Sequence, residues 1–157
     1  MAKHLAKDTF TSLLGNTPDT GTVVATMIAA LHQFHDAVVI LDAKWNFLYL
    51  NTAATQYLRR ERDQLIGRNL WRMFPKLTET ASEQTYREAM ADQKPRTILE
   101  HHAARDLWYW VGVYPTAQAL MLHVRDVTDQ RRAESLNDRL LQSLETRLDV
   151  PTRRRVL

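Results

Sequence analysis

The sequence predicts a mixed α/β domain covered on both sides: five strands, a block of short helices in the middle, and a longer helix at each end. Two apolar runs of strand length, Ala37–Asp42 and residues 45–50, are parted only by Ala43 and Lys44, which is hairpin spacing. Three further runs of strand character, residues 97–101, 107–114 and 119–127, follow Pro95. The stretches before and between switch to spacings of three and four, the period of an amphipathic helix.

Residues 1–21 are polar, contain the turn-like GNTPDTG ending at Gly21, and read as a mobile arm. Residues 22–35 then carry Val23, Val24, Met27, Ile28, Leu31 and Phe34 on one stripe, with Thr22 placed to cap the start. Both hairpin strands are apolar at nearly every position, so the sheet is expected to be covered on each side. Asn51 reads as an Asx cap for a helix over residues 52–59, small turns are expected over residues 61–65, and Gly67 as a reversal glycine. Thr80 and Glu83 have capping-box spacing for a helix over residues 78–93, which Pro95 prevents from continuing. In the last segment, residues 129–150, Ala133, Leu136, Leu140, Leu144 and Leu148 step by three and then by four, a stutter against strict heptads.

At 157 residues the chain holds one core with appendages. Apolar residues at 45% and charged residues at 25% exclude wholesale disorder. The absence of cysteine removes disulfides, thiolate metal sites and thiol nucleophiles. No apolar stretch approaches a membrane span or a secretory signal, so a cytoplasmic location and no membrane partner are expected. The net charge of +3 resides in residues 130–157, which hold 7 of the 21 basic and 4 of the 18 acidic residues, leaving 14 of each in residues 1–129. Arg153, Arg154 and Arg155 supply most of the excess. Such a terminal run is more often solvated than bound to phosphates, so nucleic acid is not an expected partner. No phosphate loop, nucleophile elbow, zincin or calcium-loop motif is present, so no enzyme and no metal site are expected.

Several local sequences converge on one family. DAVVILD at 36–42, FLYLN at 47–51, QLIGRNLWRMFP at 64–75, WYWVGVYP at 108–115 and VRDVTD at 124–129 occur in the order of a PAS sensor domain, which residues 36–129 resemble. The resemblance implies the α+β class, with a five-stranded antiparallel sheet and short helices on one face, residues 22–35 as a cap helix, and residues 130–157 as a signalling or coiled-coil helix with a basic tail. It also implies a ligand cavity between sheet and helices, lined by Val39, Leu41, Tyr109, Val111, Val113, Leu120, Leu122 and Val124. That wall is aliphatic with Tyr109 as the one inward polar tip. Asp126, Val127 and Thr128 match the junction that couples sheet to exit helix.

On the opposite face Trp108, Trp110, Tyr114, Val38, Ile40 and Met121 form a patch too apolar to leave wet. The stripe of Val24, Met27, Ile28 and Leu31 is the expected cover, from the same chain or a second copy, and makes a homodimer the expected assembly. An effector domain or separate signalling protein is the expected partner. The cavity takes a small apolar ligand or none, packing closed in the latter case as a constitutive dimerisation or docking module. Haem or FAD is the less favoured cofactor: the long middle helix has no histidine, and Trp71, Trp108 and Trp110 are the aromatic candidates for a flavin.

Overall fold

The computed structural model describes residues 19–148. The expected arm, up to residue 18, and the basic tail with Arg153 to Arg155 lie outside the described residues. The elements run α1 (Thr20–Gln33), β1 (Ala37–Asp42), β2 (Phe47–Leu50), α2 (Thr52–Leu58), α3 (Arg62–Leu65), α4 (Leu70–Met73), a 3-10 turn (Pro75–Leu77), α5 (Ala81–Asp92), β3 (Arg96–His102), β4 (Leu107–Pro115), β5 (Ala119–Asp126) and α6 (Thr128–Leu148). The strands form one antiparallel sheet in the order β2-β1-β5-β4-β3.

The last strand therefore lies in the middle of the sheet, between β1 and β4, and its alternation sorts the residues of three strands. Leu120, Leu122 and Val124 stand opposite Leu41, Val39 and Ala37 on one side, and Leu122 and Val124 stand opposite Val113 and Val111 on the other. These face α2 and α5 and join Phe47, Leu50, Ala54, Leu65 and Tyr86 in one buried cluster. Met121, His123, Val38, Ile40, Trp110 and Tyr114 occupy the opposite, outer face.

Asn51 fastens the N-terminal corner. Fully buried at the end of β2, it accepts hydrogen bonds from the amides of Ala54 and Val38 through Oδ1, each at 2.9 Å. Its Nδ2 donates to the carbonyls of Leu31 and Asp36, also at 2.9 Å. One side chain thus caps α2 and ties the ends of α1 and β1 to the sheet, a larger role than the cap its position suggested.

Several boundaries differ from expectation, each for a local reason. Asp19, not Thr22, caps α1, accepting the Gly21 amide at 3.2 Å. The second strand starts at Phe47 because Trp45 has a φ of 69° and the Asp42 carboxylate gathers the Lys44 and Asn46 amides at 2.8 Å, widening the turn. The turns expected over residues 61–65 are one helical turn, α3, closed by a capping box of Glu61 and Gln64. Gly67 has the expected reversal geometry, φ 76°.

The roof over the outer face is the largest correction at the level of one chain. Helix α1 buries none of its residues, and Val24, Met27 and Ile28 are 48%, 60% and 40% exposed. Only its C-terminal end reaches the sheet edge, where His32 meets the Tyr49 ring edge-on at 5.6 Å. Within a single chain, cover on each side of the sheet is therefore not achieved.

Candidate functional site

The inner wall is built as the alternation of β1, β4 and β5 dictates. Val39, Leu41, Val111, Val113, Leu120, Leu122 and Val124 are all buried, and Tyr109 is half-buried beside them. Tyr109 is not the one inward polar tip. Glu100 stands directly opposite it on β3 and accepts a short hydrogen bond from the Ser82 hydroxyl of α5. Tyr57 of α2 meets the Tyr109 ring edge-on at 4.8 Å, and Tyr86 of α5 completes the group.

The electrostatics follow from burial without a cation. Desolvation pushes the Glu100 carboxyl above its ordinary range, with the Ser82 hydrogen bond only partly opposing it. Burial, and then the nearby Glu100 carboxylate, pushes the Tyr57 and Tyr86 phenols up as well. The group can present hydrogen-bonding tips to a bound molecule, while the aliphatic wall excludes water from around them.

The outer face is aromatic and half-covered by its own side chains. Trp110 meets His123 at 5.6 Å, and Trp108 is stacked by His101 at 4.4 Å on the same face. Asp36 accepts from His123 Nε2 at 2.7 Å and Arg125 Nε at 2.8 Å, bridging the start of β1 to β5. Burial raises the Asp36 pKa, but the hydrogen bonds and charges of His123 and Arg125 together outweigh it and hold the carboxyl below its ordinary value. A Cβ at Gly112 would lie 2.7 Å from the Tyr114 ring and 2.9 Å from Trp110, so glycine is what lets these two rings close over the strand.

The junction is a clamp on one backbone position. The Trp108 amide donates to Thr128 Oγ1 at 2.9 Å, the Val127 amide donates to the Trp108 carbonyl at 2.9 Å, and the Thr128 amide donates to Asp126 Oδ1 at 2.9 Å. Thr128 is buried although the helix it opens is exposed from Asp129 onward as far as residue 146. A cleft of about 450 Å³ lies beside it, lined by Asp106, Trp108, Arg131, Arg132, Ser135, Leu136 and Arg139.

Residues 31–132, 102 of 157, match a family model for the PAS fold. The chain belongs to the PAS fold family. Solved PAS-type structures agree on the architecture at low identity. An RNA-binding light-oxygen-voltage receptor is similar at a TM-score of 0.63 and 15% identity, over 86% of this chain and 41% of that one. The photoactive yellow protein domain of the sensor histidine kinase Ppr from Rhodospirillum centenum aligns at 0.55 and 13%, over 67% of this chain and 97% of that domain. A sensory box sensor histidine kinase from Vibrio cholerae aligns at 0.54 and 15%, over 69% of this chain and 94% of that structure. No curated protein matches the sequence significantly. The chain spans about two fifths of the light-oxygen-voltage receptor it resembles.

As a PAS sensory domain, the chain brings together on its inner face every wall residue that the sequence pointed to. It adds Glu100, Ser82, Tyr57 and Tyr86, which sequence reading missed. Their signal was present in β3, where Arg96, Ile98 and Glu100 alternate on the inward side. Glu100 passes for a surface acid until its strand is paired. Trp108 and Trp110, flavin candidates by type, lie on the outer face, which leaves Trp71, whose Nε1 is buried with no hydrogen-bond partner among the described residues. Among the described residues no helix is long and apolar enough to cross a membrane.

Proposed function

We propose that this PAS domain is a sensory relay: a small, largely apolar molecule held between the sheet and helices α2 and α5 biases the attachment of α6, and the domain works as a homodimer through its outer face. The observation that carries this reading is the group of Glu100, Ser82, Tyr57, Tyr86 and Tyr109 set into an aliphatic wall. A core that only packs gains nothing from a buried carboxyl, which costs free energy to desolvate. A ligand site combines an apolar lining with a few convergent polar groups.

The same group supplies a route outward. Glu100 stands opposite Tyr109, Tyr109 stands opposite Asp126, and Trp108, beside Tyr109, is the residue that Thr128 clamps. A molecule that shifts Tyr109 therefore strains Asp126, Val127 and Thr128, and the stutter in α6 leaves two helix arrangements close in energy. A differential affinity of about 1 to 3 kcal/mol would make a working switch. The output lies with a partner or a further domain, as in the histidine kinases that share the fold, and the domain itself performs no catalytic step. A cytoplasmic location suits such a relay.

A second reading, a constitutive docking module with a closed interior, is favoured by the complete burial of Leu41, Val111, Val113 and Leu120 and by the Tyr57–Tyr109 contact across the inner face. A haem or FAD sensor has less support, because the His101 and His123 rings lie on the outer face with Trp108 and Trp110. Native mass spectrometry of freshly purified protein separates the three. A co-purifying colourless molecule supports the relay, its absence in every preparation returns the docking module, and visible absorbance returns the cofactor. Val111→Trp is expected to abolish a ligand-dependent melting shift and to leave the dimer intact.

A further inference from the structure

Glu100 is a largely desolvated acid without a counter-ion. It occupies the inward side of β3, opposite Tyr109, and the Ser82 hydroxyl of α5 donates a hydrogen bond to it. Burial raises its pKa, and no cation among the described residues opposes that shift. Arg96, the other charged residue on the inward side of β3, is committed to Asp92 and Glu88 at 2.7 and 3.5 Å. Arg59 and Arg105 act on Tyr109 from exposed positions, and neither pairs with Glu100.

Three phenols lie around this carboxyl with their hydrogen-bonding capacity unspent. Ser82 and Tyr86 are 6% and 4% exposed and, four residues apart, share the buried face of α5. Tyr57 and Tyr109 meet edge-on at 4.8 Å and are only half-buried, so the group opens to solvent on their side. None of the three phenol oxygens has a hydrogen-bond partner among the described residues. The next inward pair along the sheet is Ile98 opposite Val111, and inward neighbours on one strand lie about 7 Å apart. The polar end is therefore followed directly by an aliphatic one.

A carboxylate removed from water needs a positive charge beside it, and the faces of aromatic rings attract cations through their quadrupole. An organic ammonium ion answers both demands. It supplies the missing counter-ion, donates to the phenol oxygens, and turns its carbon skeleton toward the aliphatic end. A carboxylate ligand would meet like charge, and an alcohol would leave the charge of Glu100 uncompensated. We infer that the molecule sensed by this domain is an alkyl- or arylalkylamine, its ammonium paired with Glu100 among Tyr57, Tyr86 and Tyr109 and its apolar body lying along Ile98 toward Val111. The inference rests on the relay reading above and adds the chemical class of the ligand.

Isothermal titration of the full chain at pH 7 compares butylamine, cyclohexylmethylamine and 2-phenylethylamine, protonated there as a lysine side chain is, with the alcohols and carboxylates that carry the same bodies. At least one amine is expected to bind about tenfold or more tightly than its alcohol, the scale of one charge-assisted hydrogen bond, and the carboxylates are expected not to bind. In Glu100→Gln the amine should lose that advantage while the alcohol binds as before, a change of selectivity that general loosening of the fold does not produce. Tyr86→Phe, which keeps the ring, should narrow the same ratio. An alcohol or carboxylate bound as tightly as its amine overturns the inference and leaves the relay standing, as does an amine preference that survives Glu100→Gln. Binding of none of the probes overturns the inference, and native mass spectrometry for a co-purifying molecule then decides the relay separately.

Discussion

The two faces of the sheet come from the same strands, yet they are finished by different chemistry. Inward, β1, β4 and β5 present branched aliphatic side chains that are excluded from water and packed against α2 and α5. Outward, they present Trp108, Trp110, Tyr114, Met121 and His123, all half-buried, with an ion cluster at Asp36. A face completed within the chain can be aliphatic, because close packing and burial supply its stability. A face that must survive partly wet and still bind carries aromatics with polar tips and charges at its rim. The difference assigns folding stability to the inner face and, on the proposed homodimer, leaves the outer face for the partner.

The most direct way to break that division is a pair of adjacent substitutions. Leu120 and Met121 point to opposite faces of β5. Leu120→Ala should cost about 3 kcal/mol of unfolding free energy in urea denaturation, from lost transfer energy and a cavity that the wall cannot collapse around. Met121→Ala should cost less than about 1 kcal/mol in the same experiment and weaken the dimer instead. Equal losses in folding for both would mean that the outer face is as much core as the inner.

Asn51 lies where the two faces meet at the N-terminal corner, and its replacement is the next largest effect. Asn51→Ala orphans the buried Val38 amide, removes the cap of α2 and frees the Leu31 and Asp36 carbonyls. At about 1 to 3 kcal/mol for an unsatisfied buried group, a loss of about 2 to 3 kcal/mol is expected. Hydrogen exchange should rise through α1 and its connection to β1 more than in β4.

At the C-terminal junction the Thr128 side chain makes fewer bonds, its hydroxyl accepting from the Trp108 amide and, at 3.5 Å, donating to the Trp108 carbonyl. Thr128→Val should cost about 1 kcal/mol and selectively raise exchange in the first turn of α6. The contrast with Asn51, whose side chain makes four hydrogen bonds at the N-terminal corner, is what tests the proposed relay, which needs the attachment of α6 to be the one that yields. No selective change in α6 exchange would place the moving part elsewhere.

How much of this was legible in the sequence depended on whether a signal was local. The strand ranges of β1, β3, β4 and β5, the cap at Thr80 and the reversal at Gly67 follow from neighbouring residues, and they agree with the structure within a residue or two. Trp45 misled because an aromatic beside an apolar run reads as strand, whereas the Asp42 turn forces it out at positive φ. The inward position of Glu100 was hidden for the opposite reason. On its own strand it is one acid between Leu99 and His101, and only pairing with β4 makes it face Tyr109. The roof is missing within one chain because an amphipathic stripe specifies that a helix needs cover and cannot specify whose surface supplies it.

The smallest effect tests the two faces by the sign of a pH dependence. Glu100, on the inner face, has a carboxyl pushed up by burial, with the Ser82 hydrogen bond opposing. Between the unfolded and folded pKa values the native state then holds a proton that the unfolded chain has released. Its contribution is fully present below about pH 4.5 and is lost as pH rises through the raised native value. Asp36, on the outer face, is held below its ordinary value because His123 and Arg125 outweigh burial. Its contribution is present above about pH 4 and is lost as pH falls through the lowered native value. Glu100→Gln should therefore gain melting temperature relative to the native chain as pH rises from 4.5 to 8, and Asp36→Asn should lose it at neutral pH and converge with the native chain in acid. Thermal melts from about pH 2 to about pH 8 read both slopes, and slopes of the same sign would show that the two acids do not sit in the opposite environments that the two faces require.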